Sequence, residues 1–449
     1  MSDTKTYDLI VLGTGGAGYQ VATKAKEAGW SVAVVNEGPF GGTCAVRGCI
    51  PKKLLSGTAD FVDTSRRLGD IGIVSDQPVL DWQKLIEFKK TFTDPVSPGT
   101  QASLEEVGID VYEGSSRFSG NLQLEVNGLE LSAKKVHIAV GANPTKLPIE
   151  GFEHLITSDD FLDLPNLPKR IVFVGGGYIS FEFAHIAARL GADVTILHSD
   201  DTPLPIFDKD IINTLIDASK DAGIKIELNS PVQRVEKTEN GFVIVSATET
   251  HHEADLVVHG AGRSPAVMDL NLEATNVDYD ARRGITVDQQ LRSTSNPDIY
   301  AAGDVANAGP PLSPVAGVQG GIVAKNVLGG GEAQPSYLST PSVIFTTPTV
   351  AMVGLTQDQA NESGLEFDVI ENDISKWFDS KRVGLKFARS KVLVEKQTQK
   401  ILGAHLIGNH AEDLINIFSL AIEFGLTTAQ LKQPIMAFPS ASDDLRSMI

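Results

Sequence analysis

The two cysteines of this 449-residue chain stand five positions apart, in GGTCAVRGCIPKK, with Gly41-Gly42 before Cys44 and Pro51 just after Cys49. Two thiols at that spacing can open and close one S–S bond and so carry an electron pair. A scattered pair would read as two small buried hydrophobes; this pair reads as a redox disulfide. On an ideal helix five residues rise about 7.5 Å, past the roughly 7 Å limit on the Cα separation of a bridge. Closure therefore demands an irregular backbone, which Gly48 and Pro51 can supply. Gly41-Gly42 is expected to open a short helix and to leave Cys44 near unpaired N–H groups, which favour its thiolate.

A chain of this length has ample material for a core and needs no covalent staple, so the disulfide is assigned to chemistry rather than to stability. The N-terminal MSDTKTYD is polar and lacks the basic start and long apolar region of a secretory signal. No uninterrupted apolar run approaches membrane-spanning length, and a cytoplasmic protein is expected, where a cysteine pair is more often catalytic than structural. The formal charge of −19 disfavours nucleic-acid backbones and anionic membrane surfaces as partners. The nine histidines show no metal-ligand spacing with the cysteines, and no metal centre is expected.

Two segments about 160 residues apart must position any cofactor that feeds the thiols. DLIVLGTGGAGYQVATKAKEAGWSVAVVNE and KRIVFVGGGYISFEFAHIAARLGADVTILH each run apolar strand, glycine turn, helix-period apolar residues, strand. These are two βαβ dinucleotide-binding units. In the first, Gly13 allows the tight turn, Gly15 the approach of a pyrophosphate and Gly18 close helix–strand packing. In the second, Gly175 and Gly177 fit, with the small Ser180 in the third glycine's place. The residue expected to bind a ribose is Glu37, after Asn36, in the first unit, and His198 in the second; neither a strand-end carboxylate nor paired arginines in the second unit decides between NAD and NADP. VHIAVGANPTKLP with Gly141, VVHGAGRSPAV with Gly262, and DIYAAGDVAN with Asp304 each end an apolar strand in glycine, as close approach to a ligand requires. From about Tyr337 the texture changes to that of an antiparallel sheet with flanking helices.

Taken together these segments resemble the flavoprotein pyridine-nucleotide-disulfide oxidoreductases, the group containing glutathione reductase, dihydrolipoamide dehydrogenase and mercuric reductase. GGTCAVRGCIPKK looks like the redox-disulfide signature, and GGGYISFE, AAGDVA and LSPVA follow in the family's order. The resemblance implies an α/β fold of two doubly wound Rossmann-type domains plus a C-terminal α+β dimerisation domain. Its boundaries would be FAD-binding 1–150, NAD(P)-binding 151–268, a second FAD-binding part 269–335 and dimerisation 336–449. It implies a homodimer using FAD and NAD(P)H. Cys49 would lie against the flavin and Cys44 face the substrate; Lys53, or its neighbour Lys52, would approach flavin N5 with Glu182 paired to it, and Tyr178 would lid the nicotinamide pocket. Gly42, Thr43, Asp304 and Ala316 would contact FAD, Arg263 the nicotinamide cofactor, and Gly262 beside it would belong to the cofactor-binding set.

One departure stands out. Family members that reduce disulfides carry His-Pro-Thr near the C-terminus, followed by a glutamate. Here AFPSASDDLRSMI puts Phe438 in the histidine's place and Asp443 in the glutamate's. A phenyl ring moves no proton, and loss of positioned acid–base help costs typically 10²- to 10⁴-fold. Electrons are therefore expected to reach an acceptor that needs no proton from such a residue, or one that brings its own, such as a metal ion, quinone, persulfide or small protein partner. A low-molecular-weight disulfide reductase of the glutathione or lipoamide type, or a flavin-binding redox sensor with little turnover, are the alternatives.

Overall fold

The computed structural model describes residues 4–449, which form two compact units. The first holds residues 4–52, Glu87–Thr145 and Gly262–Tyr337; the second holds Lys53–Ile86, Lys146–Ala261 and Leu338–Ile449.

In the first unit, strand β1 (Lys5–Leu12), helix α1 (Gly16–Glu27) and strand β2 (Val32–Asn36) make the βαβ unit that the glycine spacing calls for. Strands β3 (Asp110–Glu113), β4 (Ser116–Gly120), β5 (Gln123–Val126) and β6 (Leu129–Ile138) complete a sheet of order β3-β2-β1-β6-β5-β4, and the short strand Ile299–Ala301 pairs with β6. The ladders among β3, β2, β1, β6 and Ile299–Ala301 are parallel, and β4, β5 and β6 form an antiparallel meander. Leu9, Ile10, Val11 and Leu12 are all 0% exposed, which is why β1 reads as a continuous apolar run instead of alternating: a parallel sheet is covered on both faces. On one face α1 meets the helix Ser313–Gly329 so closely that a Cβ on Gly320 would lie 2.7 Å from Ala17 O.

The second unit repeats the parallel architecture with strands Lys225–Glu227, Asp193–Leu197, Arg170–Val174 and Leu256–His259, in that order across the sheet. Its C-terminal part is a five-stranded antiparallel sheet, with Ile401–Gly408 at its centre. The helix Ala411–Glu423 covers that sheet with Leu414, Ile415, Phe418 and Ile422, an apolar stripe at 3- and 4-residue spacing.

The two glycine turns solve one packing problem in mirrored ways. Gly13 takes φ +96°, and a Cβ there would fall 2.3 Å from Ala139 O; a Cβ on Gly18 would fall 2.0 Å from Gly13 O and 3.4 Å from the Ala139 methyl. In the second unit Gly175 takes φ +104°, but the small residues have changed sides. Ser180 on the helix is 0% exposed, and Gly260 on the strand end could carry no Cβ, since one would sit 1.9 Å from Ser180 Oγ. Serine replaces glycine on the helix because glycine replaces alanine across from it.

Candidate active site

Helix α2 (Gly42–Arg47) begins after Gly41, whose φ of +96° only glycine adopts freely, and stops at Gly48 with φ −141° and ψ −113°. Helix α3 (Cys49–Asp70) starts at the next residue. A Cβ on Gly48 would lie 2.9 Å from Thr43 O and 3.2 Å from Cys44 Cα, so the break that the spacing demands is made by folding Gly48 back onto the preceding turn. Both cysteines are unbridged thiols, Cys44 half-buried and Cys49 exposed.

The sulfur drawn toward the thiolate is not the one that helix position alone suggests. Cys44 does stand in the first turn of α2, but it holds its proton: its hydrogen bond to Cys49 pushes its pKa up far beyond the ordinary range, and burial adds to this. Cys49 is pulled down to about 6, first by that same bond from Cys44 and, against the cost of burial, by Ser313 and the charge of Lys52. Ser313 Oγ lies 3.4 Å from Cys49 Sγ at the first residue of its helix. A dipole end matters less here than which sulfur receives the hydrogen bonds.

Around the thiols the first unit supplies a cradle. Asn36 is buried, its Oδ1 accepting from Thr14 N–H and Thr14 Oγ1–H at 3.1 and 2.8 Å, which leaves Glu37 as the exposed carboxylate at the end of β2. Thr14 Oγ1 in turn accepts Gly41 N–H at 3.0 Å and ties the glycine turn to α2. A Cβ on Gly42 would lie 2.6 Å from Gly15 Cα, whereas one on Gly15 would meet nothing nearer than 3.9 Å. The α1 N-terminus carries no side-chain cap. Gly141 and Gly262 hold φ of +73° and +101° in open surroundings, and Arg263 Nη2 donates to Ala142 O. Thr43 and Ala316 stand in the first turns of α2 and of Ser313–Gly329. Asp304 is half-buried, its carboxyl raised by burial with the charge of Arg263 opposing. An uncapped helix end beside open glycines and carboxylates at the sheet's carboxyl edge fits a dinucleotide such as FAD, whose pyrophosphate the amides would hold and whose hydroxyls Glu37 and Asp304 would meet.

The second unit gathers Lys53, Glu182, Phe345 and Glu412. Lys53 Nζ lies 3.1 Å from Glu412 Oε1, with which it forms an ion pair, and 4.1 Å from the centre of the Phe345 ring. Glu182 is 2% exposed and its Oε1 accepts Phe345 N–H at 2.8 Å, which spends that oxygen on the backbone. A cavity of about 160 Å³ opens beside Lys53, bounded also by Asp60, Arg67, Phe345 and Glu412. Tyr178, one turn before Glu182, is 51% exposed. Gly177 caps the helix Tyr178–Arg189 without a side chain. His198 uses both ring nitrogens within its own unit: Nδ1 accepts Gly176 N–H at 3.1 Å and Nε2 donates to Thr202 O at 3.1 Å. It shapes the glycine turn and has no nitrogen left for a ribose.

The sequence patterns single out neither Thr14 nor Ser313, and they mark Asn36 only as the residue before Glu37. Ser313 lies in LSPVA, the segment that also holds Ala316, and nothing local ties it to a cysteine 264 residues away.

Comparisons with known proteins bear on the whole chain. The family described as pyridine nucleotide-disulphide oxidoreductase matches residues 7–320, and its dimerisation domain matches residues 340–449. A mercuric reductase from Lysinibacillus sphaericus is 32% identical, covering 98% of this chain and 81% of its own. A glutathione reductase from Burkholderia cepacia is 33% identical over 98% and 97% of the two chains. Among solved structures, the Cu(II) complex of the HOCl-induced flavoprotein disulfide reductase RclA from Escherichia coli superposes with a TM-score of 0.90 at 29% identity, covering 99% of each chain.

Proposed function

This chain belongs to the pyridine nucleotide-disulphide oxidoreductase family, and from that membership we propose where its electrons end. It is an FAD-dependent NAD(P)H oxidoreductase, and its dimerisation domain makes it a homodimer. Bound FAD supplies the ring that accepts hydride from the nicotinamide and returns the electron pair to sulfur. The acceptor beyond the thiols is a soft, thiophilic metal ion, reduced in the cytosol, where a thiol pair stays available.

The observation that carries this reading is Phe438. It is 83% exposed and takes the sequence position at which disulfide-reducing members of the family carry the acid–base histidine that protonates a leaving thiol. A metal ion leaves no thiol to protonate. Closing Cys44 and Cys49 to the disulfide releases two electrons, which reduce one divalent ion to the metal or two Cu(II) to Cu(I); the single proton held on Cys44 passes to water. Cys49, lowered to about 6, is the ready thiolate, and Cys44 is the sulfur that must first lose a proton. The relatives whose names carry mercuric ion and Cu(II) support the same class of acceptor. Within this reading Lys53, with Lys52 beside it, and Glu182 set the charge near the flavin, and Tyr178 covers the nicotinamide.

The test is an anaerobic acceptor panel with NADH and NADPH on the wild type and on Phe438→His. Hg(II) or Cu(II) should reoxidise the reduced enzyme rapidly, while glutathione disulfide and lipoamide lag by about 100-fold or more; Phe438→His should narrow that gap. Wild-type turnover of glutathione disulfide or lipoamide at about ten per second or faster overturns the reading.

A further inference from the structure

We infer that Gln319 is a positioning residue for FAD: it clamps the turn that carries Asp304 and thereby sets cofactor affinity, an inference that rests on the family's use of FAD. Gln319 lies on the helix Ser313–Gly329 and is 0% exposed. Its Oε1 accepts Gly303 N–H at 2.7 Å, and its Nε2 donates to Ala308 O at 2.7 Å and to Tyr337 Oη at 2.8 Å. Both amide hydrogens and one lone pair are thus spent inside the first unit.

The partners define the reach of the clamp. Gly303 holds φ +74°, and Ala306 N–H closes on Gly303 O at 2.9 Å, so residues 303–306 form a turn with Asp304 inside it. Gln319 grips that turn at its first amide and again just beyond it at the Ala308 carbonyl. Tyr337 is fixed in turn against Gly309, where a Cβ would come within 2.5 Å of the tyrosine ring. The helix that holds Gln319 also presents Ser313 to Cys49, so one rigid element references both the sulfur and the acidic turn. No apolar side chain could replace this, because Gly303 N–H and Ala308 O, both partly buried, would lose these partners. A glutamate would keep the bond from Gly303 but turn a carboxylate onto the Ala308 carbonyl.

The experiment measures FAD affinity by flavin fluorescence on reconstitution of apoprotein, beside the 450 nm absorbance that holoenzyme retains through gel filtration. Gln319→Leu and Gln319→Glu should each weaken FAD binding by about tenfold, and Tyr337→Phe, which deletes only the outer bond, by about threefold. A merely structural role would lower the melting temperatures of apoprotein and holoprotein alike and leave the affinity of the folded fraction, counted by circular dichroism, unchanged. If Gln319→Leu does not fold, Tyr337→Phe decides. FAD affinities within twofold of wild type in every folded variant overturn the inference alone, while a wild type that binds no FAD overturns the family reading and the inference with it.

Discussion

At the residue scale, the chemistry turns on one shared proton. Cys44 and Cys49 compete for it, and Cys49 is the one drawn down, first by the bond from Cys44 and then by Ser313 and the charge of Lys52; Ser313 also lowers Cys44, but there the bond to Cys49 and burial outweigh it. A depressed thiol pKa means that the charged form is present above the midpoint and lost as pH falls through it. The long-wavelength thiolate–flavin absorbance of the two-electron-reduced enzyme should therefore persist down to about pH 6 and fade below it. Ser313→Ala should move that midpoint upward, toward the ordinary cysteine value of about 8.5, and Ser313→Thr should restore it. A pH titration of the band checks this; an unmoved midpoint in the alanine variant would show that the serine hydroxyl contributes nothing. The cysteine pair itself was fully legible in the sequence, because its spacing and flanking glycines constrain the backbone locally. Which sulfur carries the charge was not, since Ser313 arrives from a distant helix and the short turn of α2 pointed to Cys44. The same holds for Lys53, whose partner Glu412 lies 359 residues on.

At the element scale, the two βαβ units were legible because strand, turn and helix are adjacent in sequence and each glycine has a local reason. Ser180 looked like a small-residue substitute for glycine, and the fold shows why it is accepted: Gly260 yields the room that Ala139 takes in the first unit. That compensation has no local signal, being made between a helix and a strand end 80 residues apart. It has a measurable consequence. Gly260→Ala should push the helix Tyr178–Arg189 off its strand and cost about 1–3 kcal/mol of stability, together with a raised KM for NAD(P)H. The double replacement Gly260→Ala with Ser180→Gly rebuilds the Gly18–Ala139 arrangement and should recover most of both losses. Chemical unfolding and steady-state kinetics on the two single variants and the double variant give the coupling energy directly. A double variant that shows only the sum of the single losses would mean that the two positions do not share space.

At the scale of the whole molecule, both units bury neutral histidines, and this ties global stability to pH. His137 in the first unit is 0% exposed beneath α1, its Nε2 3.3 Å from Ala17 O, and burial lowers it to about 4. In the second unit His185, 1% exposed between Ser219 and Thr347, is held well below the ordinary value by burial and then by the charge of Arg189; His405 is lowered by burial as well. None of these could be assigned as buried from sequence, where a histidine inside an apolar strand or helix looks the same whether it faces solvent or core. Each has a folded pKa below its unfolded value near 6.5, so the unfolded chain binds the extra proton. Stability from these groups is complete above about pH 6.5 and drains as pH falls toward 4. Between pH 7 and pH 5 the loss should be about 2 kcal/mol for His137 alone, in a range where carboxylates in ion pairs still hold their charge. Urea unfolding across that range should show a steep decline, and His137→Gln should flatten it by close to one proton's worth of slope. A stability that stays level from pH 7 to pH 5 would mean that these rings take up protons inside the folded molecule.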